Sequence, residues 1–599
     1  MKTFTEKIPN PKEIEKEIGD FLTKKYGDQV KIVSPIIMPN ADDIETDGFS
    51  TKKMKHVNFD LKPEELIAYL DQYIIKQGSA KQILATKICT HFNRIKYQKS
   101  AEGKHLDISG GIKNNVLMLG PTGVGKTYII KLIANKLGVP FVKGDATKFS
   151  ETGYVGGDVE DLVRDLVRES DNDIDLAEQG IIYIDEIDKI ASSGNLIGAD
   201  VSRAGVQRAL LKPMEETEVE LKVPHDPISM IQEVEQFRKT GKREKKSINT
   251  KNILFIMSGA FGGLDDIIRK RTSPQGIGFG ASQKDPDDKS GLIRQVKAED
   301  LINYGFESEF IGRLPVKSVF EPLSEEDLLQ ILYAPNNPVL LNKKLDFATY
   351  GIDIRFSTDA LKLLAKKAYL ENTGARGLVS VIEEALIPFE TRLPSTPIKR
   401  FPATVSVIEN PKNSLTDWLN KKNDEDRIEI FLSIALENKQ SVINYLKENR
   451  GLLADQHEMP LSEYRIEKIA DYYCNNVTEI GNAVEKIKIL YNKIKKIEFN
   501  FYRKHDINIV LEDDAVDFML KQLATGKVDI DDMYEKITDD FEYGLKLIRE
   551  KTHRNRFFLS KNALTNPENY LNQTIKAEFT KNDIQQTFSF SPKDFRENQ

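Results

Sequence analysis

A glycine-rich loop between two apolar segments constrains the fold of this chain more than any other feature. The apolar run NVLML, residues 115–119, predicts a buried β-strand. The loop that follows fits the pattern G-x-x-x-x-G-K-[ST] and consists of Gly120, Pro121, Thr122, Gly123, Val124, Gly125, Lys126 and Thr127. Apolar residues then recur at helical spacing over 129–137. Strand, loop and helix in this order predict a phosphate-binding loop.

Phosphate binding needs these residue types at these positions. Glycines let backbone N–H groups close around a phosphate, and the N-terminus of the next helix adds its positive end. In this pattern Lys126 reaches the β- and γ-phosphates, and Thr127 supplies a hydroxyl to Mg²⁺. The loop therefore predicts that the chain binds ATP or a related nucleotide together with Mg²⁺.

Two further apolar runs end in polar residues suited to nucleotide hydrolysis. The run at 181–184 predicts a parallel strand that is followed by Asp185 and Glu186, and the run NILFIMSG ends with Ser258. Open α/β sheets bind ligands at the carboxyl ends of their strands. We expect Asp185 to hold Mg²⁺ through water, Glu186 to polarise the attacking water and Ser258 to sense the γ-phosphate. These residues, with Lys126, predict a nucleotide hydrolase.

Composition narrows the class of protein further. A chain of 599 residues exceeds one hydrophobic core and predicts about three to five domains. The net charge of −7 argues against a nucleic-acid-binding protein, and no apolar run is long enough to span a membrane. The two cysteines, Cys89 and Cys474, are too few for a disulfide framework or a cysteine-based zinc site. The N-terminus has no secretion or transit signal, so we expect a cytoplasmic protein.

Three later motifs distinguish among nucleotide hydrolases. Arg313 stands in EFIGRLP, Arg376 begins a predicted helix in ENTGARGL, and Tyr154 and Val155 lie between glycines in SETGYVGGDVEDLV. With these motifs in this order, residues 61–410 resemble the ClpX family of AAA+ unfoldases. The resemblance implies an α/β fold: a AAA+ large domain with a parallel sheet, then a mostly helical small domain.

The resemblance also implies roles for residues outside the phosphate loop. Tyr73, Ile74 and Ile75 match the segment that lines the adenine pocket. Arg313 matches an arginine finger that reaches a neighbouring subunit's ATP, which implies a head-to-tail homo-hexamer. Arg376 matches the nucleotide sensor of the small domain. The chain differs from the family at Lys76, where the family has a glycine.

Two loops carry the implied contacts with other proteins. Tyr154 and Val155 match a pore loop that grips unfolded or tagged polypeptide substrates without reading their sequence. Ile277, Gly278 and Phe279 lie in the glycine-rich segment SPQGIGFGASQ and match the tripeptide that docks a ClpP-type peptidase. The resemblance thus implies an ATP-dependent unfoldase that translocates substrates into a separate peptidase. The alternative is a remodelling chaperone that works without a peptidase.

The chain departs from the family at both ends. The family's N-terminal domain binds zinc through four cysteines, whereas residues 1–60 contain none, so we expect no zinc here. We expect the large domain at 61–320, the small domain at 321–411 and a helical extension at 412–489. Segment 490–599 contains a weak repeat, because INIVLEDDAV at 507–516 aligns with IDIRFSTDAL at 352–361. It predicts a degenerate second small domain with Val528 in place of the sensor arginine; ordinary strand–helix similarity is the alternative.

Overall fold

The structure is a computed structural model, and the residues that it describes all lie in one compact unit, Val57–Gln599. The described ranges are 60–99, 113–149, 157–191, 201–221, 247–272, 289–420, 425–524, 528–552 and 554–576. Within these ranges, no helix is both long and apolar enough to cross a lipid bilayer. We call residues 60–320 the large lobe, 321–420 the small lobe and 425–576 the C-terminal region.

The large lobe alternates strands with helices. Its strands are β1 (Val116–Leu119), β2 (Phe141–Asp145), β3 (Ile181–Asp185), β4 (Glu218–Glu220), β5 (Ser247–Asn249), β6 (Leu254–Gly259) and β7 (Val316–Val319). Its helices are α1 (Pro63–Asp71), α2 (Gly78–Lys99), α3 (Lys126–Leu137), α4 (Val159–Glu169), α5 (Ile174–Ala177), α6 (Val201–Met214), α7 (Leu264–Thr272), α8 (Lys289–Ile293), α9 (Ala298–Tyr304) and α10 (Ser308–Gly312).

Five of these strands form one sheet in the order β2-β3-β6-β1-β7, and every neighbouring pair is parallel. Both faces of the sheet are covered, because β1 alternates its side chains between two apolar clusters. Leu117 and Leu119 join the cluster with α4, whereas Val116 and Met118 join the cluster with α3. Strands buried on both faces read as continuous apolar runs, as β1 and β3 do. The predicted α/β fold with a parallel sheet is confirmed.

The parallel arrangement places the functional loops together. The carboxyl ends of β1, β3 and β6 lie side by side, with Leu119 in register with Gly259 and Ile184 with Met257. The phosphate loop follows β1, and Asp185 ends β3. Ser258 is the penultimate residue of β6. One edge of the sheet therefore carries the three segments that the sequence marks for nucleotide chemistry.

The small lobe is mainly helical, as expected, and has its own apolar core. It comprises α11 (Glu325–Tyr333), α12 (Pro338–Ala348), β8 (Asp353–Phe356), α13 (Thr358–Leu370), α14 (Ala375–Arg392), β9 (Arg400–Ala403), α15 (Val405–Glu409) and α16 (Pro411–Asn420). Strands β8 and β9 form a parallel pair. A parallel pair needs a long crossover, which α13 and α14 supply.

The C-terminal region begins with long helices and ends in a second parallel pair of strands. Its elements are α17 (Glu425–Glu448), α18 (Arg450–His457), α19 (Glu463–Asn475), α20 (Ile480–His505), β10 (Asn508–Leu511), α21 (Asp513–Ala524), α22 (Ile530–Thr552), β11 (Arg556–Leu559), α23 (Lys561–Thr565) and a helix over 567–576. Helix α17 packs on β8 and β9 of the small lobe, so the region continues the small lobe rather than standing apart from it.

Candidate nucleotide-binding site

The phosphate loop has the backbone and the lysine that its sequence predicts. Lys126 is the first residue of α3, and its Nζ donates to the carbonyl oxygens of Gly120 at 2.6 Å and Pro121 at 2.7 Å. The ammonium group thus lies inside the loop, at the N-terminus of the helix. A phosphate in the loop offers charged acceptors in place of these carbonyls, which strengthens the hydrogen bonds of Lys126.

Burial changes the protonation of this lysine. Removal from water lowers the pKa of Lys126 to about 8, while the carboxylates of Asp185 and Asp188 oppose the shift and Arg376 adds to it. The amine is therefore easier to neutralise than an ordinary lysine. A bound triphosphate adds negative charge beside it and favours the charged form.

A hydrogen-bonded chain connects the loop to strands β3 and β6. The Ser258 hydroxyl donates to Asp185 Oδ1 at 2.6 Å and lies 2.6 Å from the hydroxyl of Tyr183. Tyr183 lies 3.0 Å from Thr127 Oγ1, which donates to Asp185 Oδ2 at 3.4 Å. The structure thus brings Thr127, Asp185 and Ser258 together as the sequence predicts.

The sequence prediction missed two members of this chain, Tyr183 and Lys143. Lys143 on β2 forms an ion pair with Asp185 at 2.9 Å. Burial pulls the pKa of Asp185 upward, but hydrogen bonds from Ser258 and Lys143 outweigh burial and hold it below its ordinary value. Tyr183 was recognisable as a polar hydroxyl in a buried strand, whereas Lys143 had no signal, because it becomes a partner only through strand pairing.

Thr127 and Asp185 are suited to the expected Mg²⁺. Mg²⁺ prefers oxygen ligands and is usually bound through one or two carboxylates together with substrate phosphates and water. A hydroxyl and a carboxylate oxygen 3.4 Å apart beside the phosphate loop match that donor set. In the described part of the chain, no cluster of three or more histidine, cysteine, aspartate or glutamate residues could hold a metal by itself.

Glu186 adopts a backbone conformation that is rare for its residue type. Its φ of 57° lies in the left-handed region, and its amide N–H donates to Asp185 Oδ1 at 3.1 Å. The side chain is exposed beyond the end of β3. Such strain costs about 1–3 kcal/mol and occurs preferentially at functional sites.

Asp188 is a further site residue that the sequence prediction missed. Its carboxylate accepts hydrogen bonds from the amides of Ala260 at 3.3 Å and Phe261 at 3.2 Å. These amides follow Ser258, so Asp188 fixes the end of β6. Its only sequence signal was its position two residues after the acidic pair.

The small lobe contacts the phosphate loop through the start of α14. The amide of Ala375 donates to the carbonyl oxygen of Gly123 at 2.8 Å, and a Cβ on Gly374 would lie 2.8 Å from the same oxygen. Arg376 is the second residue of this helix, and its charge affects the pKa of Lys126. The predicted sensor arginine therefore lies at the nucleotide site.

The segment expected to line the adenine pocket also reaches the loop. Ile74 is buried, and its Cδ1 lies near Gly125. Tyr73 and Ile75 are partly buried on either side of it. Lys76 has a φ of 60°, so the turn keeps a conformation that favours glycine although the residue is lysine. The Lys76 Nζ bonds to the Pro322 carbonyl oxygen and to Asp327 of the small lobe.

Arg313 is not part of this cluster. Its guanidinium forms an ion pair with Glu215 and is about half exposed. Among the described residues, it makes no hydrogen bond or ion pair with the phosphate loop. The predicted pore-loop residues Tyr154 and Val155, and the predicted docking residues Ile277, Gly278 and Phe279, lie outside the described residues.

The parallel sheet, the phosphate loop, the acidic pair and a helical lobe docked on that loop define an AAA+ ATPase. Residues 112–317 match the AAA domain family (Cdc48 subfamily), and 323–392 match the C-terminal, D2-small domain of ClpB protein. Relatives from Borrelia duttonii (strain Ly) and Treponema denticola, both named ATP-dependent Clp protease ATP-binding subunit ClpX, are 41% identical over 337 residues. The match covers 56% of this chain and 75% and 77% of those relatives. The chain belongs to the ClpX family.

Proposed function

We propose that this Clp-family AAA+ ATPase forms a homo-hexameric ring that unfolds polypeptides and translocates them into a ClpP-type peptidase. The contact between α14 and the phosphate loop carries the proposal. Ala375 of the small lobe is hydrogen-bonded to Gly123 of the large lobe. Binding, hydrolysis and release of a nucleotide at this junction would change the contacts between the lobes. The free energy of hydrolysis would thereby move the small lobe relative to the large lobe.

Each residue of the site has its own role in the proposed hydrolysis of ATP. Lys126 and the loop amides hold the β- and γ-phosphates, and Arg376 adds positive charge from the small lobe. Glu186 accepts a proton from the attacking water, which its strained backbone orients. Mg²⁺, held through Thr127 and Asp185, would neutralise phosphate charge and position the triphosphate.

Arg313 supports the ring. An arginine finger that acts in trans has to lie on the surface, away from the site in its own chain. Arg313 has this placement, and its partner Glu215 is itself about 40% exposed. In a head-to-tail ring, each Arg313 would leave Glu215 for the γ-phosphate of the neighbouring subunit.

The contacts with substrate and peptidase rest on sequence and on the names of relatives. Tyr154 and Val155 would grip the polypeptide, and Ile277, Gly278 and Phe279 would enter pockets of the peptidase. Several weak docking loops on one ring gain affinity by avidity. The relatives' name describes an ATP-binding subunit of a Clp protease. The alternative, a chaperone that remodels proteins without a peptidase, shares the ATPase site and differs only in this docking.

A mixing experiment tests the ring and its trans finger. Glu186→Gln should bind ATP but hydrolyse it at least a hundredfold more slowly, and Arg313→Ala should also be inactive. Mixed in equal amounts, they should recover roughly a quarter of the wild-type rate, because that fraction of interfaces pairs an intact site with an intact finger. No recovery from co-assembled subunits would refute action in trans.

Capture of the host's ClpP distinguishes the two functions. Wild type should retain the peptidase on beads, and an Ile277→Ala/Phe279→Ala pair should lose it while keeping its ATPase rate. Ile293→Ala, on the described helix α8, is the control, since it removes an apolar side chain of the same lobe outside the tripeptide. Equal capture by wild type and the pair would reject docking through this loop.

We also propose that segment 490–576 is a second copy of the small domain. The order β10-α21-α22-β11-α23 repeats β8-α13-α14-β9-α15, and both strand pairs are parallel. The amide of Glu512 donates to Leu559 at 3.0 Å, as that of Ser357 does to Ala403 at 3.1 Å. Val528, which the sequence repeat aligns with Arg376, packs against the core of this segment two residues before α22, whereas Arg376 is the second residue of α14. The copy would serve as a binding or packing platform, and failure of the two segments to superpose in an experimental structure would reject it.

A further inference from the structure

A cavity of about 210 Å³ lies between the small lobe and the C-terminal region, apart from the nucleotide site. Helix α12 and strand β8 form one wall, and residues 473–477 at the end of α19 form the other. The charged lining groups that the structure describes come from the first wall, and the second wall adds a thiol and two side-chain amides. We call it the interlobe cavity.

Arg355 is the most buried charge in this cavity. It is 8% exposed, and it donates to Asp353 at 2.8 Å and to the carbonyl oxygen of Cys474. Its Nε is buried and has no hydrogen-bond partner within the described part of the chain. Because Nε has almost no exposed surface, an acceptor in the cavity would reach the guanidinium through its amino groups.

Lys344 adds a second positive charge. No carboxylate among the described residues forms an ion pair with it, and its Nζ lies 5.8 Å from the centre of the Tyr473 ring. Burial lowers the pKa of Lys344 to about 8, and the charge of Arg355 contributes to the shift. Among the described residues that line the cavity, Asp353 is the only carboxylate, so the two cations outnumber it.

The second wall contributes neutral polar groups that can contact an anion, beside apolar side chains such as Val477. Burial raises the pKa of the Cys474 thiol, which favours the uncharged form despite the nearby cations. Asn475 and Asn476 line the same wall and carry amide groups. Two cations, two amides and a neutral thiol around a partly open cavity resemble the donor sets that bind oxyanions.

We propose that the interlobe cavity is a binding site for a phosphate-class oxyanion, either inorganic phosphate or the phosphate group of a monoester. Arg355 and Lys344 would donate to its oxygens from the small lobe, and the amides would donate from the C-terminal region. The bound anion would join the two walls and brace the C-terminal region against the small lobe. This site is independent of the ATP chemistry described above.

Cys474 provides a native reporter of occupancy. It is partly exposed and lines the cavity, whereas Cys89, the other cysteine of the chain, is only 2% exposed. Alkylation of the full chain by iodoacetamide, followed by peptide mass spectrometry, measures both thiols at once. Saturating ADP with Mg²⁺ keeps phosphate out of the nucleotide site. The ligand arms are inorganic phosphate, glycerol phosphate and chloride at equal ionic strength.

Phosphate or glycerol phosphate should slow alkylation of Cys474 several-fold relative to chloride and leave Cys89 unchanged. Preference for one of the two arms identifies the source of the phosphate group. Lys344→Gln should weaken protection about tenfold, the cost of losing one charge-assisted hydrogen bond, while Lys366→Gln, an exposed lysine of the same lobe, should not. If Lys344→Gln does not fold, wild-type calorimetry with phosphate under the same conditions replaces it. Equal alkylation rates in all three arms, or no heat of binding, would overturn the proposal.

Discussion

Gly374 lies at the junction between the small lobe and the phosphate loop, and an added methyl group there should disturb catalysis. Its φ is 62° and its ψ is −144°, a region that residues with a side chain rarely adopt. A Cβ would lie 2.8 Å from the Gly123 oxygen and 3.0 Å from that of Thr122. Both neighbours are backbone atoms of a tightly folded loop and cannot turn aside, so the small lobe has to move.

Gly351 supplies a matched control in the same lobe. Its φ is 69°, but a Cβ there would meet only the end of the Lys399 side chain at 3.8 Å. Gly351→Ala therefore carries the backbone strain, about 1–2 kcal/mol, without the clash. Gly374→Ala carries more strain than that, because a ψ of −144° at positive φ is nearly restricted to glycine, and in addition it weakens the hydrogen bond from Ala375 to Gly123, worth about 1 kcal/mol. Melting temperatures report the strain in each variant, and kcat/KM reports the contact between the lobes.

Steady-state ATPase assays measure that difference. We expect kcat/KM for Gly374→Ala to fall about fivefold below that of Gly351→Ala, because about 1 kcal/mol corresponds to a factor of about five. Thermal melting of both variants measures the backbone strain in each. Equal kcat/KM in two variants that melt at similar temperatures would show that the contact plays no part in the ATPase cycle.

Three further predictions concern stability. Burial lowers the pKa of His91 to about 4. As pH falls below about 6.5, His91 therefore stays neutral in the folded chain but takes up a proton in the unfolded chain. The free energy of unfolding should drop by about 2 kcal/mol at about pH 5. His91→Gln should melt with less dependence on acid, and unchanged dependence would contradict the assignment. Asp188→Ala leaves two backbone amides without an acceptor and should lose about 2–4 kcal/mol in unfolding free energy by denaturant titration, whereas Asp188→Asn should lose less. Lys76→Gly should melt at a higher temperature than Lys76→Ala. Both variants lose the ion pair with Asp327, but only glycine relieves the strain of the positive φ at this position, about 1 kcal/mol. Equal melting temperatures would contradict a strained backbone at residue 76.

The sequence by itself determined the class of fold and the centre of the site. A strand, a glycine loop and a helix need no distant partner to be recognised, since phosphate binding dictates the residue types at successive positions. Carboxyl ends of parallel strands share an edge, so Asp185 and Ser258 could be placed beside Lys126 from pattern alone. Arg313 and Arg376 required the family resemblance, because an isolated arginine carries no local signal.

Only the tertiary structure decided which other groups contact the residues of that site. Lys143 reaches Asp185 because β2 pairs with β3, and Gly123 meets Ala375 because two lobes close on each other. The interlobe cavity unites Lys344 with Cys474, more than a hundred residues further along the chain. Such contacts depend on packing between elements, and neither periodicity nor a short motif records which distant surfaces will meet.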